Sequence, residues 1–282
     1  MTRDREAFVP KGASRFWPFV VDMNHSGAPP AWKAQLLLGR SILAALLHIQ
    51  PTETRENWRD LPHHVLAALM HDGVAGPQHP SRKFVASLIR TGDEILDVGC
   101  GAGVGYEVLV DAGLPSRYVG IDSSEPSIDI ARRLYPNGDF RIGNGTALVP
   151  AFGSESFDVV VVRHVLEHLP DFEAVMNEAI GVSRRLAVFV FFLTPRANPL
   201  GVRKIDLCIN SPFFYTYVYS RRAINRFLAS LKLYWRWCDN LGLSRAGWFT
   251  GETNSALVVS RDKSQLAVAA QSIGCAHVES KM

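Results

Sequence analysis

From residue 82 onward, short runs of consecutive apolar residues alternate with segments in which apolar residues recur every three or four positions. Short apolar runs between turn residues are typical of buried strands, and the wider spacing is typical of amphipathic helices. Strands are predicted at 95–98, 118–121, 140–142, 157–162, 186–193, 231–237 and 256–259. Helices are predicted at 84–89, 104–112, 126–134 and 172–180, with a further one after residue 220. This alternation predicts an α/β fold with a doubly wound, mainly parallel seven-stranded sheet of Rossmann-like form.

The regions that begin at residues 157 and 171 show the two patterns most clearly. Residues 157–162 read Phe-Asp-Val-Val-Val-Val, which is typical of a central parallel strand buried on both faces. Asp171 is a suitable N-cap for the next helix, whose apolar residues share one face, namely Phe172, Val175, Met176, Ala179 and Ile180. Ser220 is a suitable cap for a later helix, whose inward residues are predicted to be Ile224, Phe227, Leu228 and Leu231.

The first eighty residues follow a different pattern and are predicted to form an arm and a helical extension. Residues 1–30 are rich in proline, glycine and charge, whereas 31–49 and 61–72 have helical spacing. Gly73 and the pair Gly76-Pro77 then break the chain. We therefore expect an N-terminal extension at 1–80, a main domain at 81–262 and a C-terminal tail at 263–282.

Composition and charge narrow the classes of protein to which the chain can belong. Of its 282 residues, 47% are hydrophobic and 20% are charged, which is ordinary for a globular protein with a sizeable core. A formal net charge of +3 without clustered Lys and Arg argues against a nucleic-acid partner. The four cysteines are far apart in the sequence, so neither a zinc site nor a disulfide framework is expected.

The start of the chain and its most apolar helical segment indicate where in the cell the protein is expected. The first six residues include acids and lead into no apolar stretch of the signal-peptide type. Residues 36–49 are interrupted by Gly39, Arg40 and Ser41, whereas a membrane span needs about 20 apolar residues. No transmembrane segment is therefore predicted, and a reducing, cytoplasmic location is expected. The oligomeric state is left open.

A glycine-rich loop follows the first predicted strand. Residues 97–103 read Asp-Val-Gly-Cys-Gly-Ala-Gly, and glycines let the backbone turn tightly and approach a ligand with no Cβ in the way. The loop leads into a predicted helix, whose N-terminal N–H groups suit an anionic group such as a carboxylate. Ligands of doubly wound sheets bind at the carboxyl ends of the strands, so this loop is predicted to bind a nucleotide-like cofactor.

A dinucleotide cofactor would require the spacing G-x-G-x-x-G. Counted from Gly99, the third glycine falls at Val104, and counted from Gly101 it falls at Tyr106. The strict dinucleotide pattern fails in both registers, which leaves an NAD(P)-linked oxidoreductase as a less favoured alternative.

Residues 97–103 resemble motif I of class I S-adenosylmethionine (SAM)-dependent methyltransferases. The wider pattern is similar to the small-molecule branch that contains the ubiquinone and menaquinone biosynthesis methyltransferases. Three further segments agree in order and spacing, at 120–124, 144–148 and 156–170. Asp122 lies 19 residues past Gly103, close to the roughly 20 expected for an acid that binds ribose hydroxyls. The resemblance covers roughly residues 82–262.

The resemblance implies a set of cofactor-binding residues, some of which have a structural alternative. The set consists of Asp97, Gly99, Cys100, Gly101, Gly103, Asp122, Ser123, Asn144, Gly145 and Arg163. Asp97 is assigned to the methionine end of SAM, directly or through water, and residues 144–145 to adenine. Asp97 and Ser123 have helix capping as their alternative, and the three glycines of the loop could be turn glycines only. Arg163 lies where the family uses the backbone near the sulfonium.

Asn144 departs from the family, which usually has Asp at this position. An Asp accepts a hydrogen bond from the adenine amino group with charge assistance, whereas Asn accepts through a neutral carbonyl oxygen. The sequence therefore permits weaker cofactor binding here, and a loss of binding does not follow.

His164 and His168 are the candidate catalytic residues. They are four positions apart and would share one face if that turn is helical. His164 follows the fourth predicted strand, near the expected methyl group, and is a candidate for substrate positioning or general base. For His168, packing is the alternative to catalysis. The six histidines before residue 80 match no ligand spacing, so no metal is expected.

The predicted function is transfer of a methyl group from SAM to an O, N or C atom of a small-molecule acceptor. Residues 194–220 carry aromatic and basic side chains that suit an aromatic or anionic acceptor. The alternation of aromatic residues at 213–219 is equally typical of a buried strand. The main alternative is a non-catalytic SAM-binding or partner-binding module. Nucleic-acid methylation is not expected, because no Asn-Pro-Pro-Tyr motif follows the fourth strand.

Overall fold

The computed structural model describes residues 77–113, 117–191, 194, 204–206, 215–217, 219–242 and 254–271. Within these residues, one sheet contains seven strands: β1 Glu94–Val98, β2 Arg117–Asp122, β3 Asp139–Ile142, β4 Phe157–Arg163, β5 Ser183–Phe191, β8 Tyr234–Cys238 and β9 Ser255–Ser260. A separate antiparallel ribbon pairs β6 Lys204–Asp206 with β7 Tyr215–Tyr217. The predicted arm and the helices at 31–49 and 61–72 lie outside the described residues.

The strands of the large sheet are ordered β3-β2-β1-β4-β5-β9-β8. Strands β1 to β5 are parallel, and β9 is antiparallel to both β5 and β8. The order reverses beside β1, which is the position where doubly wound sheets bind ligands at the carboxyl ends of their strands. The predicted doubly wound, mainly parallel seven-stranded fold is confirmed.

Helices cover both faces of this sheet. They are α1 Pro80–Leu88, α2 Val104–Asp111, α3 Glu125–Leu134, α4 Leu148–Phe152, α5 Phe172–Val182, α6 Arg221–Ser230 and α7 Lys263–Gln271, with a 3-10 turn at Leu166–His168. Asp171 and Ser220 cap their helices as predicted, since each side chain accepts a backbone N–H of the first turn. The predicted boundary near residue 80 stays a prediction.

Three elements begin at least three residues away from the predicted position. Helix α1 begins at Pro80 because His79 caps it and proline suits the first turn. Strand β5 begins three residues early, since Arg185 is buried there and forms an ion pair with Asp93. Strand β8 begins only at Tyr234.

The prediction that Leu231 points inward is wrong, because this side chain is 37% exposed. Leu231 is the residue after α6, and Lys232 at a φ of +56° turns the chain away from the helix. The apolar spacing continues past the point where the helix ends. Ile224 and Leu228, which precede this turn, are fully buried as predicted.

The core consists of one apolar layer on each side of the sheet. Because side chains alternate along a strand, Val160 and Val162 enter one layer while Val159 and Val161 enter the other. Helices α4, α5 and α6 contribute to the first layer, and α1, α2, α3 and α7 to the second. No helix among the described residues is long and apolar enough to cross a membrane.

Candidate active site

The loop between β1 and α2 is built from glycines in the left-handed region. Gly99, Gly101 and Gly103 have φ angles of +73°, +56° and +82°, which favour glycine over any residue with a Cβ. The backbone N–H groups of Gly99 and Cys100 donate to the carbonyl of Ile121 at 2.8 and 3.0 Å. The loop is therefore fixed to the end of β2, and α2 starts without a side-chain cap on its N-terminal N–H groups.

The same loop packs against the segment that follows β4. A Cβ placed on Gly99 would lie 2.2 Å from Cγ2 of Val165, and one on Gly103 would lie 2.9 Å from rings of Tyr135 and Phe140. These glycines are therefore required by packing as well as by backbone conformation. The contact with Val165 brings the glycine loop together with the segment that carries His164.

Asp122 ends β2 and braces the glycine loop. Its Oδ2 accepts the N–H of Gly101 at 3.0 Å, and its Oδ1 accepts the N–H of Ser124 at 2.8 Å. A carboxylate oxygen can accept more than one hydrogen bond, so the chemistry of this group also suits a ligand hydroxyl. Ser124 caps α3 through its side chain, so capping does not account for the exposed Ser123 beside it.

Asp97 is buried at the carboxyl end of β1, with only 7% of its surface exposed. The Tyr118 hydroxyl donates to its Oδ2 at 2.7 Å. Burial raises the pKa of Asp97, while the Tyr118 hydrogen bond and the charges of Arg82 and Arg163 oppose that rise. A Cβ at Gly105 would lie 2.5 Å from Oδ2, so the carboxylate sits directly against the first turn of α2.

Arg82 is a site residue that the sequence analysis missed. It belongs to α1, and it lines a small cavity whose polar side also includes Asp97, Gly105 and Arg163. Apolar residues close the other side of this cavity, namely Val85, Ile95, Val108, Leu109 and Val161. Arg82 lies outside every motif of the resemblance. The only sequence signal that could have identified it is its position on the helix just before β1.

Asn144 and Gly145 reach the same edge of the sheet, after β3. The N–H of Gly143 donates to the carbonyl of Asp122 at 3.0 Å. Asn144 Oδ1 accepts both the N–H and the hydroxyl of Thr146, each at 3.0 Å. Oδ1 is therefore used locally, so the Asn144 side chain would meet a ligand through its NH₂ group, as a donor.

Cys100 and Gly145 have packing roles in addition to the predicted cofactor contacts. The Cys100 side chain is 6% exposed, and burial raises its thiol pKa well above the usual value. Any cofactor contact at this position is therefore made by the backbone. A Cβ at Gly145 would lie 3.1 Å from Val98 and 3.3 Å from Val175, so close packing favours glycine there.

His164 follows β4 in an unusual backbone conformation. Its φ is +56°, its N–H donates to Val190 O at 2.9 Å, and its side chain is 16% exposed. Its Nδ1 lies 3.9 Å from Oε1 of Glu167, which is 1% exposed. Burial, together with nearby cationic groups, lowers the His164 pKa well below its usual value. The direction of this shift favours the neutral imidazole, in which one ring nitrogen can accept a hydrogen bond.

The expectation that His164 and His168 share a helical face is not met. Only residues 166–168 form a 3-10 turn, and the left-handed His164 lies outside it. Among the described residues, no cluster of three or more His, Cys, Asp or Glu side chains could hold a metal ion. The residue brought next to His164 is Glu167, which the sequence analysis did not single out.

Part of the predicted aromatic segment packs beside this turn. The rings of Tyr217 and Tyr219 are stacked, with centroids 6.3 Å apart and planes 9° apart. The Tyr219 hydroxyl donates to Leu169 O, and its ring meets Phe172 edge-on at 4.8 Å. The basic residues Arg196 and Arg203 and the aromatic pair 213–214 lie outside the described residues, whereas Lys204 starts β6.

This geometry defines a class of protein. A glycine loop fixed to an acid at the end of β2, and a buried carboxylate between two arginines, together fit SAM, which has a ribose, an ammonium and a carboxylate. The mainly parallel sheet with its final antiparallel strand gives these groups the framework of a SAM-dependent methyltransferase.

Comparison with known families agrees with this class. Residues 96–191 match the family model described as "Methyltransferase domain". The protein therefore contains a methyltransferase domain of the SAM-dependent type.

Two curated relatives illustrate the likeness in sequence. A probable SAM-dependent methyltransferase of Mycolicibacterium smegmatis is 35% identical over 99 residues, which cover 35% of this chain and 37% of the relative. A ubiquinone biosynthesis O-methyltransferase of Thiobacillus denitrificans is 38% identical over 111 residues, which cover 38% of this chain and 46% of the relative. The chain thus spans less than half the length of these relatives.

Solved structures show the same fold at low sequence identity. The PH0226 protein of Pyrococcus horikoshii superposes with a TM-score of 0.53 at 18% identity, over 74% of this chain and 99% of its own. A SAM-dependent methyltransferase of Mesorhizobium loti superposes with a TM-score of 0.52 at 15% identity, over 64% and 96%.

Proposed function

We propose that the protein transfers a methyl group from SAM to a hydroxyl of a small-molecule acceptor. The observation that carries the proposal is the double hydrogen bonding of Asp122, which fixes both the glycine loop and the start of α3. When bound, SAM supplies an electrophilic methyl group on a positively charged sulfur. The remaining task of the protein is to align the acceptor with that methyl group and exclude water.

We assign each end of the cofactor to residues with matching chemistry. Asp122 and Ser123 would accept the ribose hydroxyls, and the Asn144 amide with the Gly145 backbone would meet adenine. Gly99, Cys100, Gly101 and Gly103 would line the cofactor with backbone. Asp97 would accept the ammonium group, while Arg82 and Arg163 would donate to the carboxylate.

His164 is the proposed general base. The direction of its pKa shift favours the neutral ring, which is the form that can take a proton, and His164 follows β4 at the edge where the acceptor would enter. Glu167 lies 3.9 Å from its Nδ1 and would stabilise the imidazolium that forms when His164 takes the acceptor proton. His168 is retained as a weaker candidate, on its position one residue after Glu167.

Three features support a hydroxyl of a planar small molecule as the acceptor and a cytoplasmic location for the protein. Matched relatives are named ubiquinone biosynthesis O-methyltransferases, which favours a hydroxyl acceptor. The stacked Tyr217 and Tyr219 suit a planar, aromatic molecule. The buried free thiols of Cys100 and Cys238 are consistent with a reducing, cytoplasmic setting.

Calorimetric titration with SAM tests the cofactor site. Asp122→Asn keeps the shape of the side chain but removes its charge, and should weaken SAM binding about 10- to 100-fold. The matched control is Asp139→Asn, an acid-to-amide change at an exposed ion pair with Arg141 on β3. Equal SAM affinity in the Asp122→Asn variant and the wild-type protein would contradict the assignment.

Product analysis tests the activity. Incubation of the wild-type protein with deuteromethyl SAM and a cell extract should give a small molecule that gains one labelled methyl group, detected by mass spectrometry. At a SAM concentration near the dissociation constant of the wild-type protein, Asp122→Asn should strongly reduce that product, and His164→Asn should reduce it at any SAM concentration. SAM binding without any labelled product would favour a non-catalytic SAM-binding module instead.

A further inference from the structure

His79 is buried at the start of α1, although the sequence does not distinguish it from the other histidines before residue 80. It is 5% exposed, and its neighbour Ser81 is fully buried. His79 Nδ1 accepts the N–H of Ser81 at 3.2 Å and lies 2.8 Å from the Ser81 hydroxyl oxygen. His79 is thus the N-cap of α1 and also a partner for a side chain inside the protein.

The hydrogen bonds of the Ser81 hydroxyl lead from Arg163, as donor, toward His79, as acceptor. Arg163 Nε donates to the Ser81 hydroxyl oxygen at 3.1 Å. Because His79 Nδ1 accepts a backbone N–H, it carries no proton, and the Ser81 hydroxyl must donate to it. The proton of the neutral ring is then on Nε2, which becomes a donor on the far side of His79.

Asn254 faces that donor. His79 Nε2 lies 3.5 Å from Asn254 Nδ2, while Asn254 Oδ1 is buried and has no hydrogen-bond partner within the described residues. Turning the amide by half a rotation exchanges its two atoms, which places the acceptor opposite Nε2 and satisfies both groups. The result is a continuous chain of donors from Arg163 through Ser81 and His79 to Asn254.

The far end of this chain is held rigidly. The N–H of Asn254 donates to Gly242 O at 2.8 Å, and the N–H of Leu241 donates to Asn254 O at 3.0 Å. A Cβ on Gly242 would lie 3.1 Å from the His79 ring and 2.9 Å from Pro80. Backbone bonds and close packing therefore anchor the imidazole at a fixed place.

We infer that His79 is a positioning residue that orients Arg163 toward the methionine end of SAM. Arginine is long and has many rotamers, and a bond at Nε fixes the plane of its guanidinium. The oriented guanidinium lines the cavity that Arg163 shares with Asp97 and Arg82. Hydrogen bonds aligned in one direction strengthen each other. This inference rests on the proposed function.

The test compares two ligands that differ at the methionine end. SAM carries the amino-acid end on a positively charged sulfur, whereas 5′-methylthioadenosine has the same adenosine with a neutral thioether and no amino-acid end. The readout is therefore the change that each variant makes in the affinity for one ligand, and not the difference between the two ligands. Calorimetry should measure both dissociation constants for the wild-type protein, His79→Asn and Ser81→Ala. Asparagine is a good N-cap but too short to reach Asn254, so His79→Asn keeps α1 capped while it breaks the chain.

We expect both variants to bind SAM about tenfold more weakly, as for partial loss of one charge-assisted hydrogen bond, with methylthioadenosine affinity unchanged. Asp171→Ala is the matched control, because it removes the N-cap of a different helix, α5, and should leave both affinities unchanged. Parallel losses for the two ligands, or unchanged SAM binding, would overturn the role of His79. A wild-type protein that binds neither ligand would instead overturn the proposed function, and this inference with it.

Discussion

Val165 occupies the space that a side chain on Gly99 would need, since a Cβ there would lie 2.2 Å from Val165 Cγ2. This contact joins the first residue of the glycine loop to the segment after β4 that carries His164 and Glu167. The proposed cofactor and acceptor sides of the site are therefore packed against each other. A substitution on one side should change the packing of the other.

Gly99→Ala should lower the free energy of unfolding by about 3 kcal/mol, from the steric overlap with Val165 and the strained positive φ. Val165→Ala removes the overlapping methyl groups and leaves its own Cβ at 3.5 Å from the new one. The double variant should therefore be more stable than Gly99→Ala alone, by chemical denaturation. A double variant no more stable than Gly99→Ala would show that packing against Val165 is not the cause.

Loss of one partner of the buried ion pair between Arg185 and Asp93 should destabilise the fold. Arg185 also donates to Leu88 O at 3.2 Å, and Asp93 accepts the N–H of Arg90 at 2.7 Å, so the pair ties β5 to the end of α1. Arg185→Met leaves a buried carboxylate unmatched and should cost about 3–5 kcal/mol. The pair Arg185→Met with Asp93→Asn should recover part of that cost in thermal unfolding.

His164 should make stability depend on pH. Its folded pKa is lowered, in an environment that includes Arg163, His79, Arg82, His168 and Glu167. As pH falls below about 6.5, the unfolded chain takes up a proton that folded His164 resists. Its contribution to the free energy of unfolding is therefore complete above that pH and decreases below it, toward the folded pKa.

The measurement compares denaturant unfolding of the wild-type protein and His164→Asn between pH 7.5 and 5.5. Asn does not titrate here and tolerates the left-handed backbone at this position. The wild-type curve should fall more steeply, by up to about 1.4 kcal/mol per pH unit. Parallel curves would mean that folding does not perturb His164.

Arg82→Met should weaken SAM binding by about tenfold or more, since it removes a proposed donor to the cofactor carboxylate. It should also raise the pKa of Asp97 further, because Arg82 is one of the charges that oppose the effect of burial. The SAM affinity of the variant should therefore fall more on acidification than that of the wild-type protein, because Asp97 is protonated more readily. Arg90→Met, at an exposed arginine bonded to Gln265, is the control and should bind SAM like the wild-type protein.

The sequence was sufficient for features that are encoded locally. Asp171 and Ser220 are caps within their own helices, and Gly99, Gly101 and Gly103 are required by backbone angles of a single loop. The alternation of apolar runs was likewise enough to predict the central strands. Such features depend on neighbours a few positions away, so their pattern is visible along the chain.

The missed residues act through distant partners. His79 and Asn254 are 175 positions apart, and Arg82 reaches Asp97 only because α1 folds over β1. The spacing of residues along the chain therefore does not predict that such residues are in contact. The hypothesis of a shared helical face for His164 and His168 failed for a related reason, because the backbone at His164 turns left-handed before the 3-10 turn begins.

The reversed direction of β9 has a consequence for where the chain can accept new residues. Because β9 runs opposite to β5, its first residue, Ser255, and Asn254 just before it lie at the same edge of the sheet as the glycine loop. Backbone hydrogen bonds hold Asn254 to Leu241 and Gly242, so both ends of an insertion between Gly242 and Asn254 would be fixed at that edge. Insertions there are open to evolution, or to an engineer, as a way to add residues beside the proposed site while the strand that carries the glycine loop stays unchanged.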